Sequence, residues 1–221
     1  METFRPMVSR YSLEATPEQV ATHFGLDRIE PFPPRPAIAP TEPVGIVRRS
    51  PSGAREMHLV RWGLVPGWVK DPRTLAPLFS ARAETVLEKP AFRGGIRHRR
   101  CVVAADGLYV WKEVGGRRVP HLVHRPDRGL MGFAAIADHW LGADGSELES
   151  MAILTIAAGP SHVDIADRLP VLVAPGDVTQ WLDCRSGTAE TVRQLLVPPA
   201  GPFSCSRSPP LPRNRLTKLG E

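Results

Sequence analysis

The chain has 221 residues, 42% of them hydrophobic and 23% charged, a balance that suits one large or two small globular domains and excludes a wholly disordered chain. No stretch approaches the roughly 18 uninterrupted apolar residues of a spanning helix, and METFRPMVSR lacks the apolar core of a secretory signal, so a cytoplasmic protein with no membrane partner is expected. Twenty-eight Lys and Arg against 23 Asp and Glu give +5 and a pI near 9.6, which suits a polyanionic partner.

In chain order, Thr16 followed by Pro17 and Glu18 predicts a helix N-terminus, with Pro at the first helical position ahead of Val20, His23 and Phe24. The proline-dense stretch from Pro31 to Pro40 reads as an extended connection. Short apolar runs rich in β-branched residues predict strands at Val44–Val47, Met57–Trp62, Cys101–Val103, His121–His124, Leu130–Ile136 and Met151–Ile156. A short turn of helix is expected within Glu84–Phe92, and Gly115–Arg118 between WKEV and VPHLV predicts a hairpin. Further helices are expected at Pro175–Leu182 and Glu190–Leu196, before a second extended connection from Pro198 to Pro212. No internal repeat is visible. The expectation is a single α+β domain, mostly antiparallel, over residues 7–214, with residues 1–6 as an extension and 215–221 as a tail.

The three cysteines, Cys101, Cys184 and Cys205, are odd in number and have neither C-x-x-C spacing nor a nearby His pair. No disulfide framework, metal site or cofactor follows from them. Only four of the 28 basic residues are Lys, namely Lys70, Lys89, Lys112 and Lys218. Arg is the better bidentate phosphate ligand, although GC-rich coding produces the same excess. There is no G-x-S-x-G, P-loop or H-E-x-x-H, which removes the commonest hydrolase and nucleotide motifs.

What stands out are four blocks dense in Arg, Trp and turn residues. They are RWGLVPGW at Arg61–Trp68, FSARAETV at Phe79–Val86, RRCVVAADGLYVW at Arg99–Trp111 and IADRLPVLV at Ile165–Val173. In order and spacing they resemble the SOS response-associated peptidase family, also called SRAP or abasic-site-processing proteins. RYSL at Arg10–Leu13, IAPT at Ile38–Thr41, EKPAFR at Glu88–Arg93 and ILT at Ile153–Thr155 extend the resemblance from about Met7 to Asn214. It implies one α+β domain that binds single-stranded DNA and joins covalently to abasic sites. In that chemistry a cysteine exposed by removal of the initiator Met offers an α-amine, which condenses with the sugar aldehyde, and a thiol, which closes a thiazolidine; an α-amine titrates near pH 8 and is partly neutral at pH 7. Family Asn, Glu and His residues assist sugar binding and proton transfer.

This sequence departs from the family at those places. The family start M-C-G-R-[FY] falls on Met7-Val8-Ser9-Arg10-Tyr11, so the nucleophile position holds Val8. The block N-A-R-x-E-T falls on Ser80–Thr85, with Ser80 for Asn, and the Asn of Y-N-x-A-P falls on Ala37. Leu108-Tyr109-Val110-Trp111 stands where F-Y-E-W is expected, and Ile165-Ala166-Asp167-Arg168 where I-H-D-R is expected. Val8, Val110 and Ala166 can neither attack nor exchange a proton. The resemblance still implies a DNA path with Arg10, Ser80, Arg82 and Arg168 along it, and with Trp62 and Trp68 as stacking surfaces.

The structural alternatives run beside these. Trp111, Trp140 and Trp181 read as core or rim residues, Arg97–Arg100 as a solvated charge run, and Cys101 as a buried, inert thiol. Cys205 reads as exposed. Arg82 and Arg168 can equally pair with Glu84 or Asp167. His162, four residues before Ala166, is a candidate for a substitute base. The leading expectation is a monomeric single-strand or abasic-site DNA-binding protein without the cross-link or N-terminal self-cleavage. One alternative is an active cross-linker or lyase using the α-amine of Val8, if translation starts at Met7. Another is an interaction module that keeps the fold but not the DNA.

Overall fold

A computed structural model describes residues 9–76, 78–186 and 188–211. Strand β1 (Tyr11–Leu13) leads into helix α1 (Pro17–Phe24), then β2 (Arg35–Ile38), β3 (Pro43–Arg49) and β4 (Arg55–Trp62). After a long turn come β5 (Ser80–Arg82), helix α2 (Pro90–His98), β6 (Arg100–Ala105), β7 (Gly107–Val114) and β8 (Arg117–His124). The long hairpin of β9 (Met131–Leu141) and β10 (Glu147–Ala157) follows, then β11 (Arg168–Pro170), α3 (Val178–Leu182), α4 (Ala189–Leu195) and β12 (Ser204–Arg207).

The strands form two sheets. One runs in the order β12-β8-β7-β1-β2. In the other, the ladder passes from β10 through β4, β3 and β6 to β9, and β9 pairs back onto β10, so five strands close on themselves as a small barrel. Closure leaves that circuit without an open edge. All these pairings are antiparallel except those of β10 with β4 and β5. Strand β10 organises the far rim: Ile153, Leu154 and Thr155 pair with β5, while Thr155, Ile156 and Ala157 pair with β11. The α+β expectation and the predicted strands are recovered, each strand running a few residues beyond its apolar run.

Local chemistry explains these elements. Thr16 and Gln19 close a reciprocal capping box at the start of α1, and Gly25, at φ 63°, ends the helix in the left-handed conformation that glycine adopts without steric cost. Gly115 and Gly116 both have positive φ (57° and 72°) and join β7 to β8 by a two-residue turn, as GGRR predicts. Three expectations change. The helix expected within Glu84–Phe92 starts only at Pro90, because residues 83–88 form turns and the proline takes the first helical position. Both proline-dense connections contain strands, β2 and β12, which lie at opposite edges of their sheet, where a missing N–H is tolerated.

The third concerns Arg100, which is buried rather than solvated. Its guanidinium donates to the carbonyls of Ile96, Arg97, Trp181 and Asp183 and lies 5.7 Å from the centre of the Trp181 ring. One cation thereby ties the end of α2 to the end of α3 where carbonyls lack helical partners. One continuous apolar core, including Trp62, Phe24, Phe133 and Trp181, fills the barrel and the space under the helices.

Candidate nucleic-acid interface

The rim of the barrel around the end of β10 brings three of the expected DNA-path residues together. Ser80 lies opposite Ile153, Arg82 opposite Thr155, and Arg168 opposite Ala157 on the other edge of β10. Alternation along β5 turns Ala81 into the core, where it is 1% exposed, and turns Ser80 and Arg82 the other way. Arg82 is exposed, and its guanidinium has no ion-pair partner among the described residues.

Arg168 is differently placed. Its guanidinium makes a two-pronged contact with Glu84, at 2.9 and 2.6 Å, and donates to the Thr155 carbonyl at 2.7 Å. Burial alone would raise the Glu84 carboxyl, but hydrogen bonds from Arg168 and from the backbone, including Ala157 N–H at 3.1 Å, bring it down to about 2. Glu84 therefore clamps the turn after β5 to the β10–β11 ladder as a carboxylate. Arg168 Nε and the hydroxyls of Thr155 and Thr85 are buried with no partner among the described residues, so this clamp retains unused hydrogen-bonding capacity.

The expected catalytic positions carry no reactive group here. Val110 is a 5% exposed residue of β7, opposite His121 on β8. Ala166 is half-buried in the turn before β11, its N–H directed at the His162 carbonyl. His162 is itself buried, with Nε2 2.8 Å from the Gly201 carbonyl and the ring against Phe203. That ring is engaged in packing, which removes it as a substitute base. Val8 lies outside the described residues. Arg10 enters from the other sheet, where its carbonyl accepts from Tyr109 N–H ahead of β1.

The two tryptophans separate. Trp62 is fully buried, packs against Tyr11 at 5.3 Å and donates its indole N–H to the Phe79 carbonyl at 2.9 Å. The expectation that it stacks on bases is therefore corrected: it is a core residue at the end of a strand. Trp68 is 65% exposed on the turn after Gly67. Trp181 is buried, Trp111 and Trp140 are half-buried, Cys101 is buried and Cys205 exposed, as the sequence suggests. Of the structural pairings the sequence leaves open for Arg82 and Arg168, the one between Arg168 and Glu84 forms; the β10 register brings the two together across 84 positions of sequence.

Among the described residues no three His, Cys, Asp or Glu gather as a metal-ligand set, and no helix is long and apolar enough to cross a membrane. Comparison with known proteins gives a consistent result. Residues 7–207 match the family described as SOS response associated peptidase (SRAP). The abasic site processing protein YoaM of Bacillus subtilis is 30% identical over 196 residues, covering 87% of this chain and 86% of that protein. The abasic site processing protein YedK of Escherichia coli is 32% identical over 165 residues, covering 71% and 70%. Among solved structures, a protein from Bacteroides thetaiotaomicron superposes with a TM-score of 0.79 at 23% identity over 90% of each chain, which shows a shared fold.

Proposed function

Because the chain belongs to the SOS response associated peptidase (SRAP) family, we propose that it binds single-stranded DNA, including strands with an abasic site, without joining to them covalently. Relatives such as YoaM and YedK are named abasic site processing proteins, which points to damaged DNA as the substrate class. The observation that carries the non-covalent reading is the apolar character of the positions where the family's acid–base groups stand, with Val110 packed in the interior and Ala166 in a turn. Neither side chain can donate or accept a proton, and Val8 in the sequence supplies no thiol.

The binding part of the reading rests on the rim. Ser80 and Arg82 face outward from β5, and Arg82 supplies a guanidinium for a phosphate. Arg168 contributes by holding Glu84, and through it the turn behind Arg82, as a positioning residue.

One incubation with labelled single-stranded DNA carrying a single abasic site tests this, with the mixture divided between native and denaturing gels. The expected result is a shift on the native gel that disappears on denaturation and weakens steeply with salt. A band that survives denaturation overturns the non-covalent reading. Absence of any shift overturns DNA binding.

A further inference from the structure

A second basic surface lies at the opposite end of the β9–β10 hairpin. It is a cleft of about 730 Å3 between the turn at Gly67 and Trp68, helix α2, and the stretch at Asp138 and His139. His139 stands opposite Glu149 on β10, whereas Arg82 stands opposite Thr155. Those six residues of strand correspond to about 20 Å at roughly 3.3 Å per residue, so the cleft is separate from the Arg82 rim.

Three features mark it as built for an anion with a flat ring attached. Arg93 and Arg97 stand one turn apart on the exposed side of α2, about 100° around the helix from the buried Phe92 and Ile96, and neither guanidinium has a partner among the described residues. Like charges at that spacing repel, and an anion between them relieves the repulsion. The only carboxylate among the described residues lining the cleft, Asp138, is already engaged: it accepts from Arg99 at 2.7 Å, Gly67 N–H at 3.2 Å and His139 N–H at 2.8 Å. Asp138 therefore offers little to cancel the field of Arg93 and Arg97.

The third feature is Trp68. Its turn is fastened on both sides, by Gly67 N–H to Asp138 and by the Trp140 indole to the Val69 carbonyl at 2.6 Å. A side chain added at Gly67 would stand 2.7 Å from the His139 carbonyl, so the turn sits hard against β9. Trp68 is thus held in solvent by a fixed backbone. An exposed indole on a fastened turn, beside two arginines with no partner among the described residues, matches a nucleotide unit, with the base on the ring and the phosphate on the guanidinium groups.

We propose that this cleft is a second subsite for the single strand, engaged only by strands long enough to reach it from the Arg82 rim. The proposal rests on the DNA reading above. Strands of about 8 and about 25 nucleotides bracket the span. Anisotropy titrations of both across a range of salt, on wild type, on Arg93→Gln/Arg97→Gln and on Gly94→Glu, provide the test. Gly94 is helical with nothing within 4 Å of an added Cβ, so the glutamate places a negative charge in the cleft without crowding the fold.

Wild type is expected to bind the long strand at least tenfold more tightly than the short one, beyond the gain from a larger number of binding registers. Both variants are expected to lose that advantage while binding the short strand as wild type does. The double neutralisation should lower the salt slope for the long strand by about 1.4, for two phosphates at about 0.7 each. Variants that keep the long-strand advantage and an unchanged slope overturn the second subsite while leaving the DNA reading in place. Wild type that binds neither strand overturns both.

Discussion

Replacing Arg168 by Ala distinguishes a residue that builds the rim from one that merely touches a ligand there. The substitution removes a two-pronged ion pair with Glu84, a hydrogen bond to the Thr155 carbonyl, and the stem of a side chain that is only 13% exposed. Hydrogen bonds to charged groups contribute about 1.5–3 kcal/mol each in favourable settings. Glu84, however, is 42% exposed and rehydrates when its partner leaves, and the Thr155 carbonyl keeps Ala83 N–H as a donor at 2.8 Å. After that discount for solvent screening a loss of about 2–3 kcal/mol is expected, which for a domain of this size is a fall of roughly 5–10 °C in Tm. Urea unfolding of wild type, Arg168→Ala, Glu84→Gln and the double variant gives the coupling between the two side chains, expected at about 1 kcal/mol or more. DNA affinity measured on the same four proteins completes the experiment. Stability within about 0.5 kcal/mol of wild type together with abolished DNA binding would refute the argument, because Arg168 would then be a phosphate ligand rather than a clamp.

Other expectations follow from the same geometry. The Glu84 carboxyl lies well below its ordinary value of 4.5, at about 2, so its contribution is complete above pH 4.5 and disappears as pH falls through 2. Discounted for exposure, acid titration of unfolding should show a loss of about 1 kcal/mol over that window that is absent in Glu84→Gln. Trp62→Ala should cost about 3–5 kcal/mol by calorimetry, whereas Trp68→Ala should leave the melt unchanged and weaken strand binding by about 1–3 kcal/mol. Arg100→Lys should destabilise by about 2 kcal/mol or more in urea, since an ammonium cannot reproduce a planar fork aimed at four carbonyls. Val110→Glu should be destabilising by about 1–3 kcal/mol in chemical unfolding, because it inserts a carboxyl into an apolar interior site.

The elements most legible in the sequence are those whose signal is local. Thr16-Pro17 announces a helix start, GGRR a tight turn, and runs such as Met151–Ile156 a buried strand, because capping, positive φ and apolar patterning act over a few residues. Strands β5 and β11, three residues each, carry no such signal. They exist because β10 offers them backbone partners, a fact of register rather than of composition. The same limit explains the two corrected side chains. Trp62 and Trp68 differ by six positions in one motif, yet one ends a strand inside the barrel and the other rides a turn outside it. Arg100 reads as part of a charged run, and only the approach of α3 reveals the carbonyls that hold it.

That division bears on how independent the rim is of positions 110 and 166. The rim is held by β10, by the Glu84–Arg168 pair and by the apolar interior beneath Ala81, none of which involves positions 110 or 166 as acid–base groups. Val110 adds apolar area to the interior with no polar group to desolvate, and Ala166 keeps its backbone hydrogen bond to His162. The stability of the rim therefore does not depend on an acid–base group at position 110 or 166. Arg82 remains free of ion pairs among the described residues because strand register, not catalysis, sets its direction. A surface fixed in this way is built independently of any covalent chemistry, and separate measurements of binding and of covalent capture respect that independence.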